Sequence, residues 1–119
     1  MFIEFFNIIL RSIKVPPVGG DTMFSNMEIA WDMLDEKIKN KIKSKKALHS
    51  SLGAASFVDK YEKMKGNGNT EEYSNTHPMV RTHPETGKKI LYVNSMYTKK
   101  ILDMDEKESS QILKNIFEH

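Results

Sequence analysis

Histidines, carboxylates and hydroxyls are the side chains here that could carry chemistry, and their spacing limits what that chemistry is. The formal His-x-Glu of the chain is His83-Pro84-Glu85. Joined by a distant histidine, His77 or His49, it would make a two-histidine, one-carboxylate iron triad. Pro84 argues for a turn instead, in which the two side chains splay toward solvent. The competing reading has His77 and His83 bonded to nearby backbone. His49 reads in the same way as a packed or backbone-bonded histidine rather than a ligand. Arg81 could hold a carboxylate ligand or form an ion pair that supports its own strand. The chain has no cysteine, which removes disulfides, thiolate metal sites and cysteine nucleophiles. No G-x-S-x-G elbow is present, and Gly19-Gly20 is too short for a phosphate-cradling loop.

Charge is the next candidate. Residues 36–46, EKIKNKIKSKK, hold six lysines against Glu36, a local net of +5 that leaves −3 for the remainder of a chain of net +2. Such a run could bind phosphates. Lysines at 37, 39, 41, 43, 45 and 46 wrap around a helix, however, and no aromatic residues alternate with them to stack bases. A solvated helix face is the expected reading, and nucleic acid is not an expected partner. The eight methionines are scattered and suit gap-filling in a core. Trp31 reads as a core anchor.

These residues must be positioned by a single domain of 119 residues, 39% hydrophobic and 29% charged, which is globular composition. No apolar run reaches the roughly 20 residues of a membrane span. The apolar start, MFIEFFNIIL, lacks the basic lead and small-residue cleavage site of a signal peptide. It reads as a strand within residues 2–15 emerging from a core. PPVGGDT at 16–22 predicts a tight reversal, because two prolines stop pairing and Gly19-Gly20 permits positive φ. A short strand is expected at 22–26. Asn26 caps a helix over 27–34, and Asp35 caps a second over 36–46. ALHSS at 47–51 reads as a return strand. Residues 53–76 read as a long polar loop with one helical turn at 57–64, and loops of that length are commonly functional. MVRT at 79–82 and KILYV at 89–93 form a β-hairpin around HPETGK. Asp105 with Glu108 opens a helix over about 106–118 that buries Ile112, Leu113, Ile116 and Phe117.

The PPVGGDT turn and the block HPMVRTHPETGKKILYVN, with the helix pair between them and DEKES at 105–109, resemble the taurine/chlorophenoxyacetate dioxygenase family. The likeness runs from about residue 2 to residue 119. It implies an α+β, mainly β fold, a partial double-stranded β-helix (jelly roll) with outer helices. The first and last strands would be missing, and 53–76 would form a lid-like loop. It also implies Fe(II) and α-ketoglutarate as cofactors, with a small organic acid and molecular oxygen as reactants. Taurine, another sulfonate or an aryloxyacid would suit as the acid.

Two positions carry over from the likeness. Thr22 matches a threonine whose hydroxyl bonds the distal carboxylate of α-ketoglutarate, where a charge-assisted bond is strong. Tyr97 matches an aromatic that lines the primary-substrate pocket, while Asn94 orders the backbone beside it. The family's H-x-D pair, distal histidine and α-ketoglutarate arginine match nothing here, so the expected chain is a dioxygenase fragment, inactive alone. A non-enzymatic binding or oligomerisation module derived from the same fold is the alternative. The expected setting is cytoplasmic and without a membrane, and a homo-oligomer is compatible with it.

Overall fold

The computed structural model describes residue 9, residues 11–51 and residues 73–119. Three helices and five strands form there, in the order α1 (Met27–Met33), α2 (Glu36–Ile42), β1 (Lys46–Ser50), β2 (Ser74–Pro78), β3 (Val80–Thr82), β4 (Lys89–Leu91), β5 (Thr98–Ile101) and α3 (Glu106–Glu118).

Each helix begins where a short polar side chain can accept otherwise orphaned backbone N–H groups. Asn26 Oδ1 accepts from Glu28 and Ile29, both at 3.1 Å. Asp35 Oδ1 accepts from Lys37 at 2.7 Å. Asp105 Oδ1 accepts from Lys107 at 3.0 Å and Glu108 at 3.2 Å. The second helix ends at Ile42 rather than at 46, because Lys46 already belongs to β1.

The strands make two small antiparallel sheets, ordered β2-β1-β5 and β3-β4. In the first, Lys46 faces Pro78 and Ser50 faces Ser74. Across the other edge of β1, Ala47 faces Ile101 and His49 faces Thr98, with a register irregularity between Leu48 and His49. In the second, Val80 faces Leu91 and Thr82 faces Lys89. Met79 joins the sheets. It is fully buried, its N–H donates to the Lys45 carbonyl at 3.0 Å, and its carbonyl accepts the Tyr92 N–H at 2.7 Å. The core gathers Leu34, Ile42, Ala47, Met79, Leu91, Val93, Ile101 and the buried face of α3, with Trp31 packed against it from α1. Ser109 of α3 reaches back to β5, its hydroxyl accepting the Ile101 N–H at 2.8 Å.

Several expectations change. Residues 22–26 form no strand, and Met23 and Phe24 are each 93% exposed. The described part of the first expected strand, residue 9 and residues 11–15, is likewise irregular, with Ile13 95% exposed. A strand needs a ladder partner for its N–H and C=O groups, and the described residues supply none to these segments. Residues 74–76, assigned to the long loop, belong to β2, because pairing with β1 overrides their polar composition. The remainder of that loop, including the helical turn at 57–64, and most of the first expected strand lie outside the described residues. β5 was not anticipated at all, since TKKI offers little apolar patterning. Phe117 is 39% exposed, beyond the stripe of Ile112, Leu113 and Ile116. The hairpin forms as expected, with Gly87 closing its turn at φ of 70°; Gly19 and Gly20 have the positive φ expected of them, 79° and 80°, but the bend falls at Pro17 and Val18.

Candidate functional site

An open groove of about 910 Å³ lies between the segment entering α1, the ends of β1 and β2, and the stretch from Leu91 to Tyr97. Met23, Phe24 and Met27 form one side, and His49, His77 and Tyr92 form an aromatic wall. Alternation along KILYV explains that wall. Leu91 and Val93 point into the core, so Tyr92 must face the other way.

The three rings are mutually packed. His49 stacks on Tyr92 with centroids 5.5 Å apart and planes inclined by 29°. His77 meets both edge-on, at 5.2 Å from His49 and 5.4 Å from Tyr92. The Arg81 guanidinium lies 5.3 Å from the Tyr92 ring centroid, a cation–π contact. His49 Nε2 is buried with no hydrogen-bond partner. Burial, and after it the charge of His77, hold the His49 imidazole below its ordinary value.

Asn94 and Tyr97 also line the groove. Asn94 Oδ1 accepts the N–H groups of Met96 and Tyr97, both at 2.9 Å. Thr98 Oγ1 accepts the Asn94 N–H at 2.9 Å, and the Thr98 N–H returns to the Asn94 carbonyl at 2.9 Å. Asn94 therefore orders the turn that carries Tyr97 into the groove lining, as expected of it. Thr22 sits one residue before the lining residue Met23. Its side chain is exposed and is not itself part of the lining.

The other candidate residues are placed elsewhere. His83 Nδ1 accepts the N–H groups of Glu85 and Thr86 at 3.3 Å, which spends the histidine of His83-Pro84-Glu85 on its own turn. His77 packs against rings instead of bonding backbone, and Arg81 covers Tyr92 instead of forming the expected ion pair. The lysines of the basic run are held separately. Lys39 bonds the Asp32 carbonyl and Glu36, both at 2.8 Å, Lys41 pairs with Glu108, and Lys45 bonds the Asp103 carbonyl at 2.7 Å. This is a solvated helix face and not a stripe. Tyr92 was not singled out from sequence, although its place between Leu91 and Val93 was a readable signal.

Among the described residues no group of three or more His, Asp or Glu is placed to hold a metal. These residues therefore do not fit an iron centre. No helix among them is long and apolar enough to cross a membrane.

Comparison with known proteins identifies the family. The sequence model of the family "Taurine catabolism dioxygenase TauD, TfdA family" matches residues 7–119. The chain is 35% identical over 109 residues to the α-ketoglutarate-dependent dioxygenase cnsM of Penicillium expansum, covering 87% of this chain and 29% of that protein. It is 30% identical over 105 residues to an α-ketoglutarate-dependent sulfonate dioxygenase of Saccharomyces cerevisiae, covering 88% and 25%. A crystal structure of a taurine dioxygenase from Burkholderia xenovorans superposes with a TM-score of 0.65 at 28% identity, covering 88% of this chain and 32% of that one. The chain thus spans between a quarter and a third of the length of these relatives. Enzymes of this kind work with Fe(II) and α-ketoglutarate, and a match that extends over residues 7–119 makes this chain a member of the TauD/TfdA dioxygenase family.

Proposed function

We propose that this chain is the substrate-facing section of an Fe(II)- and α-ketoglutarate-dependent dioxygenase that hydroxylates a small organic acid. Taurine, another sulfonate or an aryloxyacid fits the reading. The chain is a partial double-stranded β-helix with outer helices, and it is inactive alone. In the complete domain, bound iron and α-ketoglutarate would supply oxidative hydroxylation of a C–H bond, with molecular oxygen as the oxidant and succinate and CO2 as the other products. This chain contributes binding and orientation. The Thr22 hydroxyl donates to the distal carboxylate of α-ketoglutarate, and the Tyr97 ring flanks the primary substrate.

One observation carries the reading. The Asn94-ordered turn delivers Tyr97 into the lining of a groove that also includes Met23, the residue after Thr22. Two glycines at positive φ precede Asp21 and Thr22, a backbone conformation that side-chain-bearing residues rarely adopt.

A chimera tests it, with residues 7–119 replacing the matching segment of a complete relative and succinate formation as the readout. The chimera is expected to turn over α-ketoglutarate, and the chain alone is not. Thr22→Val in the chimera should raise KM for α-ketoglutarate about tenfold or more, the loss of one hydrogen bond to a charged group. An unchanged KM would remove Thr22 from the site. A folded chimera that consumes no α-ketoglutarate would favour a non-enzymatic binding or oligomerisation module.

A further inference from the structure

Seven residues make up α1, and none of them is fully buried. Met27, Ala30 and Trp31 are partly buried against the core. A helix this short is not stable by itself in water, so neighbouring elements must hold it. Its seat matters to the groove, because Met27 and the residues leading into it, Met23, Phe24 and Ser25, belong to the lining. Met23 and Phe24 are each 93% exposed, so little packing of their own fixes them, and α1 sets their course.

The hairpin turn supplies the hold. α1 packs against β4, and Lys88, next to the end of that turn, forms an ion pair with Glu28 in the first turn of α1, 60 positions away. The turn that carries Lys88 is itself tied down. His83 Nδ1 accepts the Glu85 and Thr86 N–H groups, the Gly87 N–H donates to the His83 carbonyl at 2.9 Å, and the His83 N–H donates to the Lys88 carbonyl at 2.8 Å. Glu28 is anchored by its own N–H, which Asn26 caps at 3.1 Å. The hydrogen bond to Glu28, and after it the charge of Glu28, hold the Lys88 ammonium above its ordinary value, so Lys88 stays charged near neutrality.

We propose that Lys88 is a positioning residue for the dioxygenase reaction: from the hairpin turn it clamps the first turn of α1 through Glu28, and so sets where Met23, Phe24 and Met27 stand in the groove. This deepens the proposed function and rests on its reading of the groove as the substrate side. The rest of α1 is tied separately. His119 Nε2 lies 3.2 Å from the Ala30 carbonyl, and Lys39 bonds the Asp32 carbonyl at 2.8 Å. Loss of the Lys88 pair therefore frees the groove end of α1 and leaves the far end seated.

The methyl resonances of Met23 and Met27 report that segment in the full chain, isotope-labelled at methionine and without iron or α-ketoglutarate. Lys88→Met should shift both, Lys88→Arg should restore most of the wild-type positions, and Lys88→Met should add nothing in a Glu28→Gln background. Salt should move the wild-type resonances toward those of Lys88→Met, because a partly exposed pair is screened, and this arm needs no variant to fold. Lys89→Met is the control, since Lys89 Nζ bonds Thr82 Oγ1 at 2.7 Å within the same hairpin. In the chimera, Lys88→Met should raise KM for the parent relative's substrate about two- to fivefold, the range of one partly exposed pair, and lower kcat less. Unmoved methyls, equal shifts from Lys89→Met, or additive effects of Lys88→Met and Glu28→Gln would overturn the proposal. So would a lower urea midpoint with unmoved methyls, the mark of a merely structural pair, or an active chimera whose KM ignores Lys88→Met. An inactive chimera counts against the proposed function alone, and the methyl resonances still decide the clamp.

Discussion

His49 and Tyr92 lie face to face, with centroids 5.5 Å apart and an inclination of 29°, although they are 43 positions apart in the chain. The stack holds His49 with its Nε2 sealed and unpartnered, so charging that ring is opposed. The folded-state value lies below the unfolded value of 6.5, through burial first and the His77 charge second. Above 6.5 both states are neutral, and the contribution to stability is fully present. As pH falls through 6.5 the unfolded chain takes the proton first, so stability is lost until the folded value is reached. Urea midpoints measured from neutral to mildly acidic pH should fall, and His49→Phe should flatten the decline. A wild-type midpoint constant across that range would refute the account.

Asn94 ties down the turn that carries Tyr97 by accepting two N–H groups at 2.9 Å. The groups are exposed, so water replaces the lost acceptor in part. Asn94→Ala should cost about 1 kcal/mol and speed hydrogen exchange at the Met96 and Tyr97 amides. Retained protection at both would show that the turn holds without the side chain.

The Ser109 hydroxyl accepts the Ile101 N–H in a buried setting. Ser109→Ala leaves that donor unsatisfied and should cost about 1–3 kcal/mol, read as a lower urea midpoint. Ser109→Thr keeps the oxygen but adds a methyl to a packed site, so it separates hydrogen bonding from volume. A neutral Ala variant would mean that the β5 edge finds another acceptor.

Ile42, with no exposed surface, ends α2 inside the core. Ile42→Ala should destabilise by about 2–5 kcal/mol, whereas Ile29→Ala on the exposed face of α1 should stay within about 0.5 kcal/mol. Comparable losses at the two positions would contradict the core as drawn.

What could be read from sequence was local. Asn26, Asp35 and Asp105 start helices because a side-chain oxygen reaches N–H groups two or three residues on, a distance that neighbours in the chain determine. Gly87 occupies positive φ because its hairpin turn requires it, and Gly19 and Gly20 do so just after the bend at Pro17 and Val18. The family likeness was legible for the same reason, since the GGDT corner and the HPMVRTHPETGKKILYVN block are contiguous motifs.

Position by position, the aromatic wall was not legible. His49, His77 and Tyr92 meet only because β1 pairs with β2 and Met79 stitches the two sheets. β5 had no apolar signature and exists because β1 offers it a ladder. Residues 22–26 had the composition of a strand and lack one because no described partner lies beside them. Capping and turn formation are settled within a few residues, so the amino-acid order determined them. Ring packing, strand pairing and the sealing of one imidazole nitrogen need segments distant in the chain to meet, and only the tertiary structure decided those.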